Sequence, residues 1–131
     1  MPVVIADRRG FDRLALEVLC QHSPGFEVAA SVDDISAALS ALGKIRSGTV
    51  LVGSQLLRRD GRSAIARLRS AGASRILLVS TGEADHLLTD ALRVDADGVL
   101  KRDGDVESQL DALNGQSGVV PRWQDEPEAA G

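Results

Sequence analysis

The sequence predicts an α/β protein, an open, doubly wound sheet of five parallel strands with helices on both faces in a (βα)5 alternation. Three observations predict it. Short apolar runs alternate five times with longer segments of helical period, the pattern of a parallel sheet covered on both sides. One run, Ile76-Leu77-Leu78-Val79, is apolar without a break, which suits a strand buried on both faces. At 131 residues the chain is one domain by length, long enough to bury about two-thirds of its unfolded surface.

The elements follow in order. Val3 to Ala6 is the first strand, and Phe11, Leu14, Ala15, Val18 and Leu19 recur at helical spacing up to His22. Ser23-Pro24-Gly25 closes that helix, and Phe26 to Val32 is the second strand. Asp33 or Asp34 caps a helix whose apolar stripe is Ile35, Ala38, Leu39 and Leu42, before Gly43 and Ser47-Gly48. Thr49 to Val52 is the third strand, and a loop through residues 54–59 leads to a helix from about Gly61 to Ala71. Arg75 to Val79 is the fourth strand, and its successor helix carries Leu87, Leu88, Ala91 and Leu92. Gly98 to Lys101 is the fifth strand, and Val106, Leu110 and Leu113 mark a last helix at i, i+4, i+7. From there the pattern dissolves: residues 1–114 form the domain and 115–131 a linker or tail that contains Val119, Val120 and the only tryptophan, Trp123.

Composition removes several function classes. Hydrophobic residues at 44% and charged residues at 26% describe a globular chain. Aromatics at 2% leave no stacking platform for single-stranded nucleic acid and no ring sandwich for a flavin. The net charge of −4 argues against direct nucleic-acid contact. Cys20 is alone, a small buried hydrophobe by its apolar neighbours, so neither an internal disulfide nor a Cys/His metal site is expected. No stretch reaches the roughly 20 apolar residues of a membrane span and the start lacks a secretory pattern, so a cytoplasmic protein without membrane contact is expected. His22 and His86 have no ligand-spaced neighbours and read as surface helix residues, and no catalytic Ser/His/acid set converges at the strand ends. Neither an enzyme nor a bound cofactor is expected.

An open parallel sheet places its crevice at the carboxyl ends of the strands, where strand order reverses. Asp7, Arg8, Gly53, Ser80 and Arg102 lie at or just after those ends.

Around these positions the chain resembles the receiver domain of NarL/LuxR-type response regulators, over roughly residues 1 to 114. The resemblance rests on Val3-Val4-Ile5-Ala6-Asp7, Asp60-Gly61 followed by Ala64 to Arg69, Ile76 to Ser80, Ala91-Leu92-Arg93, and Ala96-Asp97-Gly98-Val99-Leu100. It implies the receiver (flavodoxin-like) fold and a phosphorylation pocket at the strand ends. In that family position 53 is the aspartate that accepts a phosphoryl group, and two acidic residues after the first strand complete a magnesium cage. Here Gly53 replaces the acceptor, Asp7 matches the first acidic position and Arg8 replaces the second. One carboxylate beside a fixed positive charge is a poor magnesium site. Ser80 matches the switch hydroxyl, Arg102 aligns with the family's lysine with Lys101 just before it, and Val99 replaces the aromatic switch. Nucleophile, metal ligand and aromatic relay change together, which describes a phosphorylation-independent receiver, its degenerate pocket made of Asp7, Arg8, Gly53, Ser80, Lys101 and Arg102, with no metal.

Arg8 has three readings: a charge-assisted pair with Asp7, an anion site formed with Arg102 and Ser80 that takes a small-molecule carboxylate or phosphate, or a solvated surface charge. In Arg58-Arg59-Asp60-Gly61-Arg62 the arginines are expected to face solvent. The leading functional expectation is a signalling and dimerisation module of a transcriptional regulator. Its partners would be a second copy, docked through Val106, Leu110 and Leu113 where that stripe is not the helix's own core face, and a helix-turn-helix DNA-binding domain after residue 131. The alternatives are a sensor of a small anionic ligand and a stand-alone adaptor.

Overall fold

The computed structural model describes residues 1–115. Val119, Val120, Trp123 and the rest of the expected tail beyond Gly115 lie outside the described residues. The elements are β1 (Pro2–Ala6), α1 (Gly10–Gln21), β2 (Glu27–Val32), α2 (Ile35–Leu42), β3 (Gly48–Gly53), α3 (Gly61–Ser70), β4 (Ala73–Ser80), α4 (Glu83–Leu92), β5 (Gly98–Lys101) and α5 (Val106–Leu113). The strands form one parallel sheet in the order β2-β1-β3-β4-β5. This is the doubly wound (βα)5 arrangement the alternation predicts, with its order reversing between β1 and β3.

Strand residues sort by parity onto two cores. Val4, Ala6, Val50, Val52, Ile76 and Leu78 face α2, α3 and α4, where Ala38, Leu42, Ile65, Leu68 and Leu92 cover them. Val3, Ile5, Leu51, Leu77, Val79 and Leu100 face Leu16, Leu19 and Cys20 of α1 and Ala112 and Leu113 of α5. Every residue of β3 is buried. The segment expected to be a loop after β3 instead holds a 3-10 turn, Ser54–Leu57, which carries Leu57 into the first core.

Two helices divide their regularly spaced apolar residues between core and surface. In α1 the buried face is Asp12, Leu16, Leu19 and Cys20, while Phe11, Leu14 and Val18 are exposed. The helix is apolar on two sides, so periodicity alone does not choose between them. In α5 the expected dimer stripe divides: Leu113 is wholly buried, Leu110 packs partly against the second core, and only Val106 is exposed. The i, i+4, i+7 pattern there is mainly the helix's core face, so the three do not form one docking stripe.

Helix ends are held by specific groups. Asp34 caps α2, its Oδ1 accepting from the Ala37 N–H at 2.7 Å, and Asp105 caps α5 in the same way through Ser108 at 2.7 Å. At the far end of α5, Arg75 of β4 donates from Nη1 to the Leu113 carbonyl and from Nη2 to the Ala112 carbonyl at 2.7 Å. A guanidinium fork thus closes two carbonyls that a helix C-terminus leaves open. Replacing Arg75 by Ala should cost about 1.5–3 kcal/mol in urea unfolding, with Arg75→Lys losing less, because bonds from a charged donor are lost. Amide exchange should rise first at Ala112 to Asn114. An Arg75→Ala protein as stable as the parent would show that the fork holds nothing.

Candidate functional site

The crevice at the carboxyl ends of β1, β3 and β4 is built around Asp7, which is only 2% exposed. Its own N–H donates to the Val32 carbonyl at 3.0 Å and its Oδ1 accepts from the Arg9 N–H at 3.0 Å, while Arg13 Nη1 donates to its backbone carbonyl at 2.9 Å. The carboxyl group therefore points across the crevice toward β3. Gly53 stands opposite. Its φ of −67° and ψ of 141° are open to any residue, so conformation does not demand glycine there. Space does: a Cβ at position 53 would lie 2.8 Å from Asp7 Cγ, closer still to Oδ2, and 3.1 Å from Gln55 Oε1. The Asp7 carboxyl fills the room a side chain at 53 would use.

Burial pushes the Asp7 carboxyl above its ordinary pKa. The Arg9 N–H pulls the other way, the Asp12 charge adds to the rise, and the charges of Arg9 and Arg102 offset it in part. Beside it, Ser54 Oγ and Gln55 Oε1 are buried without a hydrogen-bond partner.

The expected pocket cations are engaged elsewhere. Arg8 is exposed and forms no ion pair with Asp7, so the solvated-charge reading describes it. Asp12, buried on α1, takes the role expected of Asp7: Arg102 Nη1 lies 3.5 Å from its Oδ1 and Arg9 Nη1 4.0 Å from its Oδ2. Arg102 therefore turns to the α1 side of the sheet. Lys101 is exposed and lines an open cavity of about 370 Å³ with Arg93, Asp97, Val99 and Ser108 at the β5 edge. Arg8, Arg102 and Ser80 do not converge on an anion site.

Ser80 is wholly buried, and its Oγ lies 2.8 Å from Nδ1 of His86 on α4. His86 Nε2 in turn lies 3.2 Å from Asp103 Oδ2, on the loop after β5. Desolvation pushes the Asp103 carboxyl up, but the hydrogen bond and charge of His86 together with bonds from backbone N–H groups outweigh it and hold the group below its ordinary range. Serine, histidine and acid thus do converge at the strand ends, contrary to the sequence expectation, and His86 is not a free surface residue. His86 is six residues after Ser80, a spacing bridged by the turn at Gly82, where φ is 86°, and Asp103 is remote in sequence. Since the Ser80 hydroxyl is buried, the row is a clamp joining β4, α4 and the β5–α5 loop and has no open nucleophile. His22 is exposed, with Nδ1 2.9 Å from the Val18 carbonyl.

The arginine cluster after the 3-10 turn also finds partners: Arg58 lies 3.5 Å from Asp85 and Arg62 Nε 3.1 Å from Asp95. Among the described residues no group of three or more His, Cys, Asp or Glu side chains could hold a metal ion. The magnesium that a receiver pocket implies does not fit these residues. Among the described residues Asp7 is the carboxylate that faces position 53, one of its oxygens is taken by the Arg9 N–H, and position 53 offers no oxygen.

Two outcomes test this geometry. An acid whose folded-state pKa stands above its ordinary 3.8 keeps its proton longer in the native state, so its ionisation subtracts stability as pH rises through that window. Asp7→Asn should therefore raise the unfolding midpoint at neutral pH, with the gain vanishing as pH falls below about 4; a gain unchanged by pH would remove the burial argument. Gly53→Ala should cost about 1–3 kcal/mol by crowding Asp7. In an Asp7→Ala background most of that cost should disappear, a coupling of about 0.5–3 kcal/mol in a double-mutant cycle; additive costs would show that the two positions do not compete for space.

No family model and no curated protein matches the chain. Solved structures do. The signal receiver domain of NarL from Mycobacterium tuberculosis superposes with a TM-score of 0.66 at 23% identity, over 86% of this chain and 92% of that one. A DNA-binding response regulator of the LuxR family from Staphylococcus aureus gives 0.69 at 18%, over 86% and 95%. The isolated receiver domain of RcsB from Salmonella enterica serovar Typhimurium, in its apo form, gives 0.69 at 18%, over 87% and 85%. With the strand order and the helix placement described above, these superpositions show that the chain has the fold of response-regulator receiver domains.

Proposed function

We propose that this chain is a signalling domain of a transcriptional regulator and that its output does not run through aspartyl phosphorylation. The observation that carries the reading is the side-chain packing at the end of β3. The position that the resemblance assigns to the phosphoryl acceptor is a glycine, and the neighbouring Asp7 carboxyl fills the space a side chain there would use. Arg8 in place of a second acid and Val99 in place of the aromatic relay agree with it. The Ser80 hydroxyl, bonded to His86, is not free to receive a phosphoryl oxygen. The Staphylococcus aureus match is a DNA-binding regulator, and by analogy the output is a helix-turn-helix domain following residue 131, with the domain acting in the cytoplasm as a homodimer.

A sensor of a small anionic molecule is the second reading. Its site would be the cavity beside β5, where Arg93 and Lys101 are both exposed, because the crevice arginines are held by Asp12.

Mass by light scattering over a concentration series tests the first reading. A dimer should form unaided and stay unchanged when magnesium with acetyl phosphate or beryllofluoride is added. A mass shift on beryllofluoride would mean that another group has taken over phosphoryl binding. Thermal stabilisation by small anions that Lys101→Ala abolishes would favour the sensor.

A further inference from the structure

Helix α5 ends on Asn114, the only asparagine in the chain, and Gly115 follows it. In such a pair no side chain on the second residue shields the asparagine amide from the following backbone nitrogen. An unrestrained Asn-Gly pair therefore loses ammonia spontaneously, as that nitrogen attacks the amide carbon. Here each atom of the reaction is held by a partner. The nucleophile, the Gly115 N–H, donates to the Ala112 carbonyl at 3.1 Å. The same carbonyl accepts from Arg75 Nη2 at 2.7 Å, so a residue of β4 fixes the acceptor that fixes the nucleophile. The leaving nitrogen, Asn114 Nδ2, donates at 2.8 Å to the Leu110 carbonyl, one turn back along the helix. The amide oxygen, Oδ1, accepts at 2.9 Å from Oγ of Ser23, a buried residue of the α1–β2 loop. With φ −82° and ψ 0° Asn114 keeps a helical backbone, and closing the five-membered ring requires ψ to leave that range.

We propose that Asn114 is a self-modification site, gated by this cap, whose conversion to aspartate or isoaspartate releases the end of α5 from the α1–β2 loop. The Gly115 nitrogen gives its proton to solvent base and its electron pair forms a bond to Asn114 Cγ. The Cγ–Nδ2 bond breaks and Nδ2 leaves as ammonia, which gives a succinimide. Water then opens the ring at either carbonyl. Breaking the bond to Cγ gives aspartate, and breaking the bond to the main-chain carbonyl carbon gives isoaspartate, whose main chain runs through Cβ and Cγ. Amide and water go in, carboxylate and ammonia come out, and no oxidant or cofactor takes part. Either product undoes the cap that delays it. A carboxylate has no N–H for the Leu110 carbonyl and sets a negative charge at a helix C-terminus, where the macrodipole disfavours it. Isoaspartate also lengthens the main chain by one atom, which shifts the Gly115 N–H off Ala112.

Attack proceeds only from the fraction of molecules whose last turn is open, so the cap sets the rate. In the full 131-residue protein, held warm at neutral pH, the tryptic peptide Asp103–Arg122 should slowly show the amide-to-acid mass gain, placed on residue 114 by fragmentation. Ser23→Ala should speed the gain about two- to tenfold and Arg75→Ala about tenfold to a hundredfold, since each removes a bond that keeps the turn closed. In urea, where the cap is gone, parent and variants should react at one common, faster rate. A folded parent that reacts as fast as the unfolded chain would overturn the gate, as would cap variants whose folded rates match the parent's. No mass gain at residue 114 in either state would overturn the site. Asn114→Asp, which makes one product directly, should lower the urea midpoint and speed amide exchange at Leu113 and Gly115; a last turn as protected as the parent's would overturn the release.

Discussion

The sheet depends on one constraint, the complete burial of β3 between β1 and β4. A strand with no exposed residue and parallel neighbours on both sides must satisfy every backbone group through the ladder and every side chain through packing. Val50 and Val52 are committed to the α2–α4 core and Leu51 to the α1–α5 core. What happens at the end of this strand is therefore decided by volume. Gly53 meets β1's Asp7 across the crevice, and only one of the two positions has room for a side chain. The occupant is a carboxyl group whose proton affinity is raised, because the same enclosure that gives it space removes its water.

Electrostatics around the crevice follow from that choice. One oxygen of the Asp7 carboxyl is taken by local backbone, and Arg102 and Arg9 pair with Asp12 on α1. Positive charge that would sit over a phosphoryl group in a receiver pocket thus ties the β5 end of the sheet to a helix. The Ser80–His86–Asp103 row does the corresponding work on the other side, fixing α4 and the β5–α5 loop to β4. The crevice is pinned on both flanks by polar contacts among its own residues, which accords with a domain read as insensitive to phosphodonors.

Much of the fold was legible in the sequence because parallel strands and their helices advertise themselves by apolar continuity and period. All five strands fall within a residue or two of their expected bounds, and of the two aspartates offered as the cap of α2 it is Asp34 that serves. Which way two helix faces point was not legible. Phe11, Leu14 and Val18 keep helical spacing but lie on the second apolar side of α1, and Leu113 keeps it but faces inward, since a period fixes a face's existence and not its direction. In the site, the identities at 7, 8, 53, 80, 99 and 102 were readable. Their contacts were not, because Arg102 with Asp12 and His86 with Asp103 join residues far apart in sequence, and the apolar pattern carries no trace of such pairs. Arg75 was likewise assigned to a strand start with no hint that it reaches two carbonyls of α5.

That reach has a mechanical side. A terminal helix ordinarily frays from its last turn, so a pull on the following chain is absorbed by unwinding. Here the last turn of α5 is riveted to the head of β4, a strand paired with β3 on one side and β5 on the other. Tension applied at Gly115 would therefore pass through the Arg75 fork into the sheet instead of being absorbed by unwinding the last turn of α5.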